Sequence, residues 1–260
     1  MLLPVSLTES SVPYRIRVRY PEGVTHGFLV VRNLNGDIIG NGDLAQTVRG
    51  TVVSSDLTLH FTDGSLYDDR TSFSQNREFR LLQDHLVRKG PSFPQSLDMT
   101  TNASTGQVTV RYTDKDGKEK VESQRLRLPV DIANGMVFTL VKNIDPHASQ
   151  MTASMVVATP KPRMLKLEIT KETEGSFTVG PSTRKAIVYD IKMRLEGAAG
   201  FVAGIIGKQP PDTRLWVVTD QAPVAIRSEG PLQEDGPIWR IELAGPVWSS
   251  ETSSRADPPK

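Results

Sequence analysis

The chain has 260 residues, of which 31 are basic and 30 acidic, so its formal net charge is +1 at pH 7. Proteins that follow a phosphate backbone usually carry a basic stripe or a pI above about 9, whereas this sequence has a pI near 7.9. We therefore expect no nucleic-acid partner. The absence of cysteine excludes disulfides, thiolate metal sites and cysteine nucleophiles. No run reaches the roughly 18 apolar residues of a membrane-spanning helix.

Alternation of apolar and polar side chains with a period of two dominates the chain, which is typical of half-buried strands. Turns such as Asp63-Gly64 and Asp116-Gly117 join neighbouring strands as hairpins. Short turns leave no room for the helical crossovers of a parallel sheet. The predicted fold is mainly β, a large curved antiparallel sheet or incompletely closed β-barrel wrapped around one central helix. The predicted strands are 14–20, 24–32, 45–53, 57–61, 66–73, 78–87, 107–112, 118–126, 151–159, 163–171, 184–195, 213–219, 223–228 and 237–243.

One segment near the middle of the chain has helical periodicity. Met136 and Leu140 recur at helical spacing within an apolar stretch, and Asp131 is the predicted N-cap of a helix over 131–143. A single apolar helix in a sheet protein usually covers the concave face. We therefore expect the side chains of this helix to belong to the core.

No internal repeat or long linker divides the sequence. We predict an N-terminal extension over 1–12 and a single antiparallel β domain over 13–244. The remaining residues, 245–260, are rich in Ser, Pro and charge and have no apolar pattern, which predicts a disordered tail.

The densest polar cluster combines Asp68 and Asp69 with Asp84 and His85. Adjacent residues of a strand point to opposite faces, so at most one of Asp68 and Asp69 faces the concavity. An aspartate that orients an imidazole can create a general base, which makes Asp69, Asp84 and His85 the candidates for a catalytic site. The favoured interpretation is structural, because no serine elbow accompanies them. None of the histidines has metal-ligand spacing, and we predict neither metal nor cofactor.

The segment 197–207 contains four glycines at intervals of three or four residues and no phosphate-loop motif. It is either a plug at the end of the barrel or a mobile apolar lid, because glycine permits backbone adjustment. Two tryptophans in late strands are expected to face the interior. The predicted ligand-binding side chains are Phe201, Ile205, Ile206, Trp216 and Trp239.

The order of elements carries a resemblance to a known group. Many antiparallel strands and one apolar helix are followed by strands that include 214–218 and 223–227. This arrangement resembles the LolA/LolB-like bacterial envelope proteins over about residues 13–244. The resemblance implies a curved, incompletely closed barrel that holds lipid acyl chains and a periplasmic or exported location. The segment 1–5 is too short for a signal peptide, so a mature exported form and a cytoplasmic product both remain open.

Three functions follow from these observations. The first is a non-enzymatic binding protein that holds a lipid or another apolar ligand in its concave interior. The second is a hydrolase-type enzyme that uses the Asp and His cluster. The third is an envelope assembly protein whose sheet edge pairs with a partner strand. The sequence favours the first, because a curved sheet covered by one helix encloses an apolar space without any catalytic motif.

Overall fold

The structure is a computed structural model that describes residues 16–145, 147–157, 159–179, 182–195, 211–219 and 222–245. Within these ranges the chain is mainly β and forms one antiparallel sheet of fourteen strands that is not closed into a barrel, together with one short helix. The predicted fold class is therefore confirmed. The predicted extension over 1–12 and nearly all of the predicted tail over 245–260 lie outside the described residues.

The elements follow one another along the chain with short connections. A 3-10 turn, Asn134–Met136, leads into the helix α1, Val137–Lys142. The strands are β1 Thr25–Arg32, β2 Ile38–Arg49, β3 Val52–Phe61, β4 Leu66–Asn76, β5 Glu78–Lys89, β6 Leu97–Asn102, β7 Gln107–Thr113, β8 Glu119–Arg125, β9 Gln150–Val157, β10 Arg163–Val179, β11 Ser182–Leu195, β12 Thr213–Val218, β13 Val224–Pro231 and β14 Ile238–Leu243.

The sheet consists of two meanders joined at their outer strands. Its order is β8-β7-β6-β5-β4-β3-β2-β1-β14-β13-β12-β11-β10-β9. The chain therefore leaves the sheet at one edge, β8, passes through α1, and re-enters at the other edge, β9. This path places α1 between the two ends of the sheet.

The main core forms where the inner faces of the two ends pack on each other around α1. Side chains from β3 to β7 meet those from β9 to β12, and Leu140 of α1 is 2% exposed between them. The predicted burial of the helix against the sheet is confirmed. The largest fully buried side chains of this cluster include Phe73, Met99, Met136, Leu140, Met151, Leu167, Ile169 and Leu215.

A smaller aromatic core lies where β1, β3 and β14 meet. The ring centroids of Phe61 and Trp239 are 5.0 Å apart, and those of Phe93 and Trp239 are 5.6 Å apart. Trp239 is 4% exposed and faces the interior as expected. Aromatic packing of this kind fixes the join between the two meanders.

The helix is shorter than the sequence predicted. Asn134 has a φ of 31°, in the left-handed region, so α-helical geometry begins only after it and the predicted start at Asp131 is wrong. Asp131 is not an N-cap, because its Oδ1 accepts a hydrogen bond from Ser154 Oγ at 3.1 Å. The backbone of 131–133 instead runs beside β9, where Ala133 N donates to Ser154 O at 2.7 Å.

Three strand predictions also need correction. The predicted strand 45–53 crosses the turn between β2 and β3, where Gly50 has a φ of 60°. The strand β6 was missed, because Leu97 and Met99 are its only large apolar residues. Of the predicted strand 14–20, the described residues form a single antiparallel bridge between Arg17 and Glu78.

Candidate functional site

A cavity of about 190 Å³ lies between the two ends of the sheet. Its floor is the inner face of β4 to β6, and its opposite wall comes from β9, β10 and β11. The turn between β13 and β14 and the residues before α1 form its rim. Most of the lining is apolar, with Leu86, Met99, Met155, Leu165 and Met193 as its large side chains.

A β-bulge in β5 decides which of its side chains reach the floor. Ser72 of β4 pairs with Gln83 and Phe73 pairs with Leu81, so Leu82 is an extra residue. Strict alternation would place Leu81 and Asp84 on opposite faces, but the extra residue brings both to the inner face. As a result Asp84, Leu86 and Arg88 follow one another along the cavity floor.

Two aspartates, Asp69 of β4 and Asp84 of β5, bring their carboxyl groups together on this floor around the Thr71 hydroxyl, and we name them the acid pair. Both line the cavity. Thr71 Oγ1 donates to Asp84 Oδ1 at 2.9 Å and also lies 3.3 Å from Asp69 Oδ1. Two carboxyl groups in contact can share a single proton, because one of them donates a hydrogen bond to the other.

The turn before α1 connects the acid pair to the opposite wall. Asn134 Nδ2 donates to Asp84 Oδ2 at 3.1 Å and to Val156 O at 3.2 Å, while Val156 N donates to Asn134 Oδ1 at 3.1 Å. Gly135 N donates to Asp84 Oδ1 at 3.2 Å. This buried network holds β5 and β9 at a fixed separation, and the cavity lies in the gap.

Asp84 of the acid pair belongs to a polar row that crosses five strands. The five residues of the row are neighbours in register on β2 to β6, and each is at least nine-tenths buried. Thr101 ends the row at 0% exposure, and within the described ranges its Oγ1 has no hydrogen-bond partner. Such a row is unusual on an inner face, because buried polar groups cost free energy unless they are hydrogen-bonded. The row consists of Gln46, Ser55, Thr71, Asp84 and Thr101.

Burial is the main influence on the protonation of the acid pair. Burial, followed by the nearby Asp84 charge, raises the pKa of Asp69 well above its ordinary value. Burial also raises the pKa of Asp84, against the opposing effect of hydrogen bonds from Thr71, Gly135 and Asn134. Because both pKa values move upward, the pair keeps a proton at a pH where exposed aspartates have lost theirs.

The acid pair should therefore make stability depend on pH. A carboxyl whose pKa is raised by folding stabilises the folded state fully below its unfolded pKa, and this stabilisation is lost as pH rises through the folded pKa. Asp69→Asn removes one titrating group but keeps a side chain that can donate to Asp84. We expect the unfolding free energy of the variant, relative to the wild type, to rise as pH increases from about 4 upward. Urea unfolding across this range measures it, and a constant difference would contradict the assignment.

The far end of the floor carries a buried cation. Arg88 is 7% exposed, and its Nη1 donates to Leu232 O at 3.1 Å. Burial lowers its pKa, and burial raises the pKa of the neighbouring Tyr67 well above its ordinary value. The two ends of the cavity floor are thus chemically distinct, with carboxyls at one end and a guanidinium at the other.

The candidate catalytic residues lie on opposite faces of the sheet. Asp69 and Asp84 face the cavity, whereas His85 lies on the outer face with its Nε2 2.9 Å from Asp98 Oδ1. Asp68 is also on the outer face, paired with Arg70 at 3.0 Å. At most one of Asp68 and Asp69 was expected inside, and Asp69 is the one. The imidazole is not positioned to act with the acid pair.

Of the predicted ligand-binding residues, those that the structure describes do not line this cavity. Trp216 was expected to face the interior, which is wrong: its neighbours Leu215 and Val217 face the core, and Trp216 lies on the outer face under the Arg227 guanidinium at 5.6 Å. Trp239 belongs to the aromatic core. The other predicted residues, Phe201, Ile205 and Ile206, and the segment 197–207 lie outside the described residues.

Comparison with known proteins assigns no family. No family model, curated protein or solved structure matches the chain, so the resemblance to LolA/LolB-like proteins stays a prediction. Among the described residues, no group of three or more His, Asp or Glu is placed to hold a metal ion. In the same residues, no helix has the length and hydropathy needed to cross a membrane.

Proposed function

We propose that this protein is a non-enzymatic binding protein that holds the apolar part of a small ligand in the cavity between the two ends of its sheet. The observation that carries this proposal is the lining itself. Ligand sites are typically concave and mostly apolar, with a few polar groups that fix orientation. Three methionines give the cavity lining side chains that can adapt to different shapes. The envelope location that the resemblance implies is part of this proposal.

The volume of the cavity limits the size of the ligand. An engineered apolar cavity of about 150 Å³ binds benzene, whereas sites for drug-sized ligands occupy about 300 to 1,000 Å³. At about 190 Å³, this cavity fits one ring or a short branched chain. We therefore propose that the cavity holds a small amphiphile or one short apolar group of a larger lipid. A complete long-chain lipid is too large for it.

The hydrolase alternative has less support from the geometry. Both oxygens of Asp84 accept hydrogen bonds from the protein, and His85 faces the other side of the sheet. An acid–base mechanism needs a base within reach of the reacting group. Of the predicted trio, the carboxyls alone lie at the cavity, where their contacts hold the turn before α1 in place.

Methionine methyl resonances provide a direct test of binding in this cavity. Met99, Met155 and Met193 line it, whereas Met151 and Met164 do not. With ¹³C-labelled methionine methyl groups, cyclohexanol added to millimolar concentration is expected to shift the three lining resonances most. Dissociation constants of about 0.1 to 1 mM are reasonable for so small a ligand. Equal shifts at all described methionines, or none, would contradict the proposal.

A further inference from the structure

We infer that the cavity selects small amphiphilic carboxylates, with the ligand's carboxylate between Tyr67, Arg88 and Arg163 and its apolar group along Leu86 and Met155. This inference rests on the proposed function and specifies its ligand. It depends on three observations: two arginines at one end of the cavity, a buried tyrosine hydroxyl at the same end, and an acid pair at the other end whose hydrogen bonds come from the protein itself.

The first observation is that the floor and the opposite wall of the cavity each end in an arginine. On β5 the inner-face row runs outward from Leu81 in the main core to Arg88, and on β10 it runs from Leu167 to Arg163. Both arginines line the cavity, and a guanidinium keeps its charge in proteins. The rim residue Glu234 is exposed and supplies one negative charge near Arg88. Positive charge therefore remains in excess at this end.

Arg163 contrasts with paired arginines elsewhere in the sheet. Arg227 lies 3.0 Å from the carboxylate of Glu242, and Arg240 lies 2.6 Å from that of Glu229. Arg163 is exposed, and within the described ranges it has neither a hydrogen bond nor an ion pair. Guanidinium groups bind carboxylates with two parallel hydrogen bonds. A ligand's carboxylate can therefore supply the partner that the acidic residues supply for the other two arginines.

The second observation is the Tyr67 hydroxyl. Tyr67 pairs with Arg88 in register, lines the cavity and is 9% exposed. In the part of the chain that the structure describes, its hydroxyl has no hydrogen-bond partner, although buried tyrosine hydroxyls usually have one. Burial raises the pKa of Tyr67 well above its ordinary value, so the hydroxyl stays protonated and can donate. A carboxylate held by Arg163 would accept this hydrogen bond.

The third observation is that the acid pair at the other end already has its partners. Asp84 Oδ1 accepts hydrogen bonds from Thr71 and Gly135, and its Oδ2 accepts one from Asn134. Asp84 and Arg88 lie four residues apart on β5, which corresponds to about 13 Å between their Cα atoms. A ligand's carboxylate at the arginine end is therefore separated from the acid pair by the apolar lining, on which the ligand's ring can pack.

Three ligands with the same ring separate this inference from the proposed function. Cyclohexanecarboxylate, cyclohexanol and cyclohexylamine are titrated calorimetrically into the wild-type protein near neutral pH. We expect the carboxylate to bind at least about tenfold more tightly than cyclohexanol, because its hydrogen bonds join charged groups. The amine should bind most weakly, because the two guanidinium groups repel it.

Matched variants locate the preference. Arg163→Gln changes an exposed side chain, so the fold should be kept, and we expect the preference for the carboxylate over cyclohexanol to fall below about threefold. Tyr67→Phe keeps the ring and should weaken carboxylate binding by at least about threefold without weakening that of cyclohexanol. Arg70→Gln is the control, because Arg70 is exposed on the outer face of β4. It removes the same charge and should retain the preference.

The outcomes distinguish the inference from the proposed function. If the three ligands bind the wild type with equal affinity, or the amine binds best, the inference is overturned while the proposed function stands. The same conclusion follows if Arg163→Gln and Arg70→Gln change the preference equally, because net charge alone would then explain it. If none of the ligands binds, the proposed function fails and the inference fails with it.

Discussion

Replacing Gly135 by alanine is expected to lower the unfolding free energy by about 3 kcal/mol. A Cβ atom at this position would clash with Thr71 Oγ1 and lie 2.8 Å from Asp69 Oδ1 and 2.9 Å from Asp84 Oδ1. The turn before α1 must then move away from β5, which breaks the hydrogen bond from Gly135 N to Asp84. Overpacking typically costs about 1 to 3 kcal/mol, and the loss of the hydrogen bond from Gly135 N adds about 0.5 to 1.5 kcal/mol.

Gly23→Ala is the matched control for this substitution. No heavy atom lies within 4 Å of a Cβ built at Gly23, and its φ is outside the left-handed region, so its effect should stay within about 0.5 kcal/mol. Urea unfolding monitored by tryptophan fluorescence measures both variants. A loss below about 1 kcal/mol for Gly135→Ala would show that the turn does not rest on the acid pair.

The sequence predicts most of the sheet because its strands have one buried and one exposed face. Alternation located β1, β4 and β9 closely. It failed where backbone geometry departs from the period of two. At Gly50 the chain turns, although apolar and polar residues continue to alternate through the turn. The extra residue Leu82 moves Asp84 to the inner face, and nothing in the sequence marks that bulge. Bulges depend on the partner strand, which a single sequence does not reveal.

The candidate site could be predicted only in part, for the same reason. Asp69 and Asp84 stood out as a polar cluster on neighbouring strands. Asn134 and Gly135 are 50 and 51 residues from Asp84 along the chain, and no local pattern indicates that contact. The one available signal was a glycine inside an apolar helical pattern, which is unfavourable unless close packing requires it. Here the close approach to the acid pair requires it.

A substitution that fills the cavity should nearly abolish ligand binding. Leu86 lies on the floor between Asp84 and Arg88 and is half-buried, so a tryptophan at this position has room to extend into the cavity and occupy the space that the ligand needs. We expect Leu86→Trp to raise the dissociation constant of cyclohexanol by at least about tenfold, which corresponds to about 1.4 kcal/mol. The extended indole would cover the apolar surface on which the ligand's ring would otherwise pack.

The comparison between Leu86→Trp and Val87→Trp tests binding in the cavity most directly. Val87 is the next residue of β5, pairs in register with Asp68 and Asp98, and lies on the outer face with them. Both variants add the same indole to the same strand, so they differ mainly in the face that receives it. Calorimetric titration with cyclohexanol should show affinity within about twofold of the wild type for Val87→Trp and a loss of about tenfold or more for Leu86→Trp. Equal affinities for the two folded variants would contradict the account, because the ligand would then bind somewhere other than this cavity.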